Sequence, residues 1–196
     1  KNESETGFVA EKTRMFNKKL KFERPFEKNK SEYSSDDIKP IYDSLRLTDY
    51  NITRMIIRAY SSVEGSTEGN IQLQSKRAES IVKALQSFQD VSIATEITSS
   101  ENWVDFINDI TESGYKELSK LSKEEIKTRL NKEGMAKELE PILKNHRKAI
   151  LILELEKKTK YLEASADVIK SFYEKSLRDK NIEEAMEIQN VIFSRV

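Results

Sequence analysis

The sequence predicts an α/β fold, an α+β sandwich in which helices pack on an open sheet and the elements run β-α-β-α-β-α-β. Three observations carry that reading. Short β-branched segments alternate with stretches whose apolar residues recur at helical spacing. Only five Gly and three Pro fall among 196 residues, so regular elements run long. Eight Phe, seven Tyr and the lone Trp103 supply bulk for one moderate core.

Residues 1–14 are polar and irregular and read as a flexible lead-in. From Met15, the near alternation of Phe16, Leu20, Phe22 and Phe26 predicts a first strand ending near Pro25. Ser34-Ser35-Asp36-Asp37 starts a helix, with Ile38, Ile41, Tyr42 and Leu45 on one face. With Asp36 or Asp37 as the cap, Pro40 would sit in its first turn, where the missing N–H does no harm. Residues 51–60, bearing Ile52, Met55, Ile56 and Ile57, predict a buried second strand. The stretch 61–70 holds Gly65, Gly69 and small polar side chains, and reads as a loop.

Asn70 is then the natural N-cap of a helix over 71–88, with Leu73, Ala78, Ile81, Val82 and Leu85 on one stripe. Val91, Ile93, Thr95 and Ile97 alternate with polar or small residues and predict a third strand. Ser99 or Ser100 would cap a third helix carrying Trp103, Phe106, Ile107 and Ile110, a spacing that belongs to a core. Residues 111–145 read as an inserted helical segment, with a Ser122–Glu125 capping box and breaks at Gly134 and Pro141. The apolar run over 148–155 predicts a strand interior to the sheet.

Beyond residue 158 the character changes to a helical hairpin, 158–196. Its first stripe is Ala164, Val168, Phe172, Tyr173 and Leu177. Asn181 caps a second helix with Ile182, Ala185, Ile188, Ile192 and Phe193. Two short helices bury both apolar faces only against something else, so they either dock on the sheet domain or open a longer helical region.

Composition excludes several function classes. Lys+Arg 34 balance Asp+Glu 34, so no net field draws the chain to nucleic acid or an anionic membrane. The Lys-rich stretches 116–132 and 156–160 interleave with Glu and read as solvated faces. With no Cys, disulfides, thiolate nucleophiles and Cys-ligated metals are out. His146 is the only histidine, and no nucleophile elbow accompanies it. The adjacent pairs Glu124-Glu125 and Glu183-Glu184 splay around a helix and do not converge. No enzyme, cofactor or metal site is therefore expected. The longest apolar run, 149–153, falls far short of a membrane span. No signal peptide is visible, and a start at Lys1 instead of Met reads as a fragment.

The stretch from Ile56 to Leu85, IIRAYSSVEGSTEGNIQLQSKRAESIVKAL, resembles the OmpA-like C-terminal domain family of OmpA, Pal and MotB-type proteins. That family has a strand, a G-H-T-D-x-x-G-type loop and a helix of pattern N-x-x-L-S-x-x-R-A-x-x-V-x-x-x-L. Asn70, Leu73, Arg77, Ala78, Ile81 and Leu85 fall in register with it, and Asn145-His146-Arg147-Lys148 looks like the N-R-R-V signature before the last strand. The resemblance spans residues 15–157. It implies non-covalent peptidoglycan binding through the diaminopimelate of the stem peptide, in the periplasm of a Gram-negative cell, as part of an outer-membrane-associated protein.

By that resemblance Arg77 takes the diaminopimelate carboxylate, a task that suits a planar guanidinium. The family Asp, which takes the ammonium, falls on Ser62, a departure that removes a charge. Glu64, two positions on, would supply a carboxylate from the same loop, with Asn70 and Arg147 beside it. The competing expectation is an OmpA-like domain that has lost this ligand and serves as a protein-interaction scaffold, meeting another envelope protein through 111–145 or 158–196.

Overall fold

The computed structural model describes residues 17–27, 30–132, 134–158, 161 and 164–195. Strands β1 (Asn17–Pro25), β2 (Tyr50–Ser61), β3 (Ala94–Glu101) and β4 (Lys148–Lys157) form one sheet in the order β1-β4-β2-β3. The expected class, a mixed α/β fold with helices on a four-stranded sheet, is what the chain adopts. β4, the apolar run, lies inside the sheet as expected. The expected lead-in, and Met15 and Phe16 with it, lie outside the described residues.

Helix α1 (Ser35–Ser44) starts before Asp36 and Asp37, earlier than the acidic residues suggest. Ser34 caps it: its hydroxyl accepts from the Asp37 N–H while the Asp37 carboxylate accepts from the Ser34 N–H. This capping box places Pro40 inside the helix, past the first turn, where its ring costs one backbone hydrogen bond. Lys30 donates to Asp37 at 2.5 Å and, with the capping hydrogen bonds, holds that carboxyl well below the usual range.

Helix α2 (Thr67–Gln86) also begins earlier than expected, because the Ser66 hydroxyl accepts from Gly69 N–H and takes the capping role given to Asn70. Its buried stripe is Gln74, Arg77, Ala78, Ile81, Ala84 and Leu85, rotated from the expected one so that two polar side chains lie within it. β3 starts at Ala94, not Val91, since Gln86 and Gln89 tie up the backbone of 91–93 through their side-chain amides. It runs on through Ser99 and Ser100, so Asn102 caps α3 (Trp103–Thr111).

Alternate residues of the inner strands, Met55, Ile57 and Ala59 of β2 and Ala149, Leu151 and Leu153 of β4, are buried toward the helices. Ile38 of α1 and Ile81 and Leu85 of α2 converge with Leu151 around one small apolar cavity. Each such side chain contributes about 1.5–3 kcal/mol when fully buried. The segment after α3 forms a 3₁₀ turn (Lys116–Lys120) and helices α4 (Lys123–Lys132), α5 (Met135–Glu138) and α6 (Glu140–His146). The Ser122–Glu125 capping box is present, and Gly134 turns at φ 68°. The expected break at Pro141 falls just before it, between Glu138 and Glu140, and Pro141 opens α6, where its lost N–H is harmless. This inserted segment closes a cluster of its own: Phe106 and Ile110 with Leu118, Ile126, Leu130 and Leu143.

The chain divides into two compact units, residues 19–48 with 52–154, and the described parts of 1–18, 49–51 and 155–196. The second unit carries helices α7 (Ala166–Arg178) and α8 (Ile182–Ser194), the latter capped by Asn181 as expected. Their shared core is Tyr161, Ile169, Ile188 and Val191. The expected stripes are rotated: Val168, Phe172, Leu177, Ile182 and Phe193 are exposed. Among the described residues, no helix is long and apolar enough to cross a membrane.

Candidate functional site

The loop joining β2 to α2 is where four of the five expected ligand residues meet. β2 delivers Ser61 and Ser62 buried at its end, and Val63 plugs into the cluster of the inserted segment. Gly65 then turns the chain at φ 78°, a conformation that strains any side chain. Its N–H donates to Asn131 Oδ1 at 2.9 Å, and its carbonyl accepts from Lys127 Nζ at 2.9 Å. Both partners come from α4.

Within this loop the Ser62 hydroxyl donates to Glu64 Oε1 at 2.7 Å. Arg147 enters from the junction of α6 and β4, and its Nη1 donates to the same Glu64 oxygen at 2.8 Å and to Ser62 Oγ at 3.2 Å. Its Nη2 is paired with Glu140 of α6. Asn70, one turn into α2, donates its amide to the carbonyls of Ser62 (3.3 Å) and Glu64 (2.7 Å) and to Glu101 Oε1 (2.9 Å). Asn70 thus holds the loop closed from within the helix.

Arg77 is placed differently. It lies on the buried stripe of α2, only 1% exposed. Its Nε donates to the carbonyl of Lys30 at 2.6 Å and its Nη2 to that of Glu27 at 2.7 Å, while the Phe26 ring stacks 4.9 Å from the guanidinium. Burial lowers its pKa from the usual arginine range; the positive charge of Arg147 adds to this and Tyr33 opposes it. Arg77 Nη1, Glu64 Oε2 and Arg147 Nε are buried without a hydrogen-bond partner, as are Ser61 Oγ and the side-chain amide of Gln74.

Sequence reasoning missed Glu101, the hub beside this loop. Its nearly buried carboxylate accepts from Lys127 Nζ at 2.5 Å, Trp103 Nε1 at 3.0 Å and Asn70. Burial pushes its pKa up, but the hydrogen bonds from Lys127, Asn70 and Trp103 outweigh that and hold it below the ordinary glutamate range. The signal was there in Glu101-Asn102-Trp103, an acid at a strand end directly before an amphipathic helix. Asn102 was missed as well; its N–H donates to Ser61 O and its amide to His146 O, tying three elements together. His146 itself is buried, its Nε2 paired with Asp109 at 2.8 Å.

Next to Glu101 lies a groove of about 690 Å³ whose apolar lining is Tyr60, Ile71, Trp103, Val104 and Ile150. Asp105 and Lys148 pair at its wall at 3.0 Å. Among the described residues, no group of three or more His, Asp or Glu side chains is placed to hold a metal. The arrangement offers packing surface and fixed charge, and the Ser62 hydroxyl and Glu64 carboxylate are both engaged by Arg147.

No protein-family model matches the chain, and no curated protein matches it. Among solved structures it is similar to the OmpA-like domain of FopA1 from Francisella tularensis subsp. tularensis SCHU S4. That similarity covers 73% of this chain and 78% of the other at 14% identity, with a TM-score of 0.36.

Proposed function

We propose that this chain is a non-catalytic, OmpA-like domain of the cell envelope that works as a protein-interaction scaffold in the periplasm. One observation carries the reading: the groups expected to grip a zwitterion are already spent on the chain itself. Arg77 is taken by the Glu27 and Lys30 carbonyls, and Glu64 by Arg147 and Ser62. The inserted segment supplies the locks, Lys127, Asn131 and Glu140. A ligand ammonium reaching Glu64 would have to displace a guanidinium already desolvated there, which is costly. The groove beside Trp103, with exposed Val104 and Ile71, is the surface left for a partner.

A second reading keeps diaminopimelate as the ligand, and two of the buried unpartnered atoms favour it. Arg77 Nη1 and Glu64 Oε2 are of the signs a carboxylate and an ammonium require. Co-sedimentation with peptidoglycan sacculi separates the two. The scaffold reading expects the purified chain in the supernatant, and amide NMR signals of 62–70 unmoved by a diaminopimelate peptide. Pelleting that Arg77→Ala and Glu64→Gln abolish would instead establish the anchoring role.

A further inference from the structure

We propose that the chain pairs with a second copy of itself through the free edge of β3, extending its sheet across a two-fold axis. The proposal goes beyond the scaffold reading and does not depend on it. β3 closes one side of the sheet, and among the described residues no strand pairs with its outer side. The two sheet edges are built in opposite ways. β1 carries Lys18, Lys19 and Lys21 and ends in Pro25, the devices that blunt an edge against pairing. β3 has eight residues with no Lys, Arg or Pro. Its two acids are drawn away from the edge, Glu96 to Arg54 at 3.4 Å and Glu101 to Lys127.

The occupant follows from face and register. Thr95 and Ile97 line a groove of about 460 Å³ with Glu79, Val82 and Lys83 of α2, and Ser99 bonds Ser75 of that helix. Odd-numbered residues of β3 therefore face α2, and even-numbered ones face the other side of the sheet. A two-fold axis normal to the sheet joins antiparallel strands with like faces matched, so it passes between the two copies of one residue. Centred on Ile97, it sets Ile97 against Ile97, Thr95 against Ser99, Ala94 against Ser100 and Glu96 against Thr98. No like charges oppose one another, and the two half-buried isoleucines bring the two grooves side by side.

The helices agree. β2 and β3 are parallel, so α2 runs back between them, and the axis sets it antiparallel to its mate. Glu79 and Lys83, one turn apart on the lip of the groove, then face the Lys83 and Glu79 of the second copy. An edge pairing of this length is a modest interface, so association is expected to be concentration-dependent.

The test is sedimentation-velocity of the whole chain from about 1 to about 500 μM, over which a weak interface populates. Twice the chain mass is expected at the upper end. Ile97→Lys places like charges at the axis and should raise the dissociation constant by about tenfold or more. Glu79→Lys, on the exposed helix surface, leaves the fold alone and should weaken association too, while Glu79→Lys with Lys83→Glu restores it. A monomer across the whole range overturns the proposal, whatever other strand the edge accepts. So does a dimer that neither Ile97→Lys nor Glu79→Lys weakens.

Discussion

The guanidinium of Arg77 donates through Nε to the carbonyl oxygen of Lys30 at 2.6 Å, and that bond makes the one charge on the buried stripe of α2 a structural clasp. A second donor, Nη2, reaches Glu27, so one helix side chain satisfies two carbonyls of the segment that leads from β1 to α1. Charge-assisted bonds of this kind are worth about 1.5–3 kcal/mol each. Arg77→Ala should therefore lower unfolding free energy by about 3 kcal/mol, read from the midpoint of urea denaturation at constant m-value. Arg77→Lys, whose ammonium lacks the fork geometry, should recover only part of that. A loss below about 0.5 kcal/mol, the range of ordinary surface substitutions, would mean the clasp is not made in solution.

Arg147 faces a different balance, since it is held by two carboxylates, Glu64 and Glu140. Removing it leaves Glu64 partly buried without its counter-ion, a loss of about 3–5 kcal/mol. The double variant Glu64→Gln with Arg147→Met removes both charges and should cost less than the two single changes summed. A double-mutant cycle by chemical denaturation gives the coupling directly, and a value near zero would dissolve the network.

The sheet and its helices were legible because their signals are periodic. β2, the strand over 148–157 and the Phe106/Ile110 face announce themselves through residues that pack in one way only. Caps were less legible, because Ser34, Ser66 and Asn102 compete with neighbours of equal capping ability, and tertiary contacts decide among them. Asn70 illustrates this: it can cap, yet here it is spent on the carbonyls of Ser62 and Glu64 while Ser66 does the capping. The gathering of Ser62, Glu64, Asn70 and Arg147 was readable from motif register. The direction of Arg77 was not, because the backbone carbonyls it binds, 47 and 50 residues away along the chain, carry no residue-type signature. Nor was the hold of Lys127 and Asn131 on Gly65, which depends on how the inserted helices fold over the loop.

Glu101 makes stability depend on acid. Its carboxyl titrates lower in the folded chain than in the unfolded one, because the bonds from Lys127, Asn70 and Trp103 outweigh burial. The folded state thus binds fewer protons here, and the contribution is complete above the unfolded value of about 4.3. It is lost as pH falls through the folded value. Asp37, held down by Lys30 and its own capping bonds, acts in the same direction. Urea midpoints measured from about pH 7 to about pH 3 should fall on the acid side. Glu101→Gln should start lower and fall less steeply; an unchanged slope would remove Glu101 as a contributor.

In the helical hairpin, Lys180 sits at φ 53°, just past the end of α7. Its N–H donates to Leu177 O at 3.2 Å, and the Asn181 N–H reaches back to Ser176 O at 2.9 Å. Together these form a Schellman motif, which glycine terminates best because it has no Cβ to strain in the left-handed region. Lys180 makes no side-chain bond that repays the strain among the described residues. Lys180→Gly should therefore stabilise the hairpin by about 0.5–1 kcal/mol, since relief of the left-handed strain outweighs the greater freedom glycine gains in the unfolded chain. Lys180→Val should destabilise it, because a β-branched side chain tolerates positive φ least. Thermal melting of the two variants beside the parent gives the order directly, and a glycine variant that melts below the parent would show that the left-handed turn is not retained in solution.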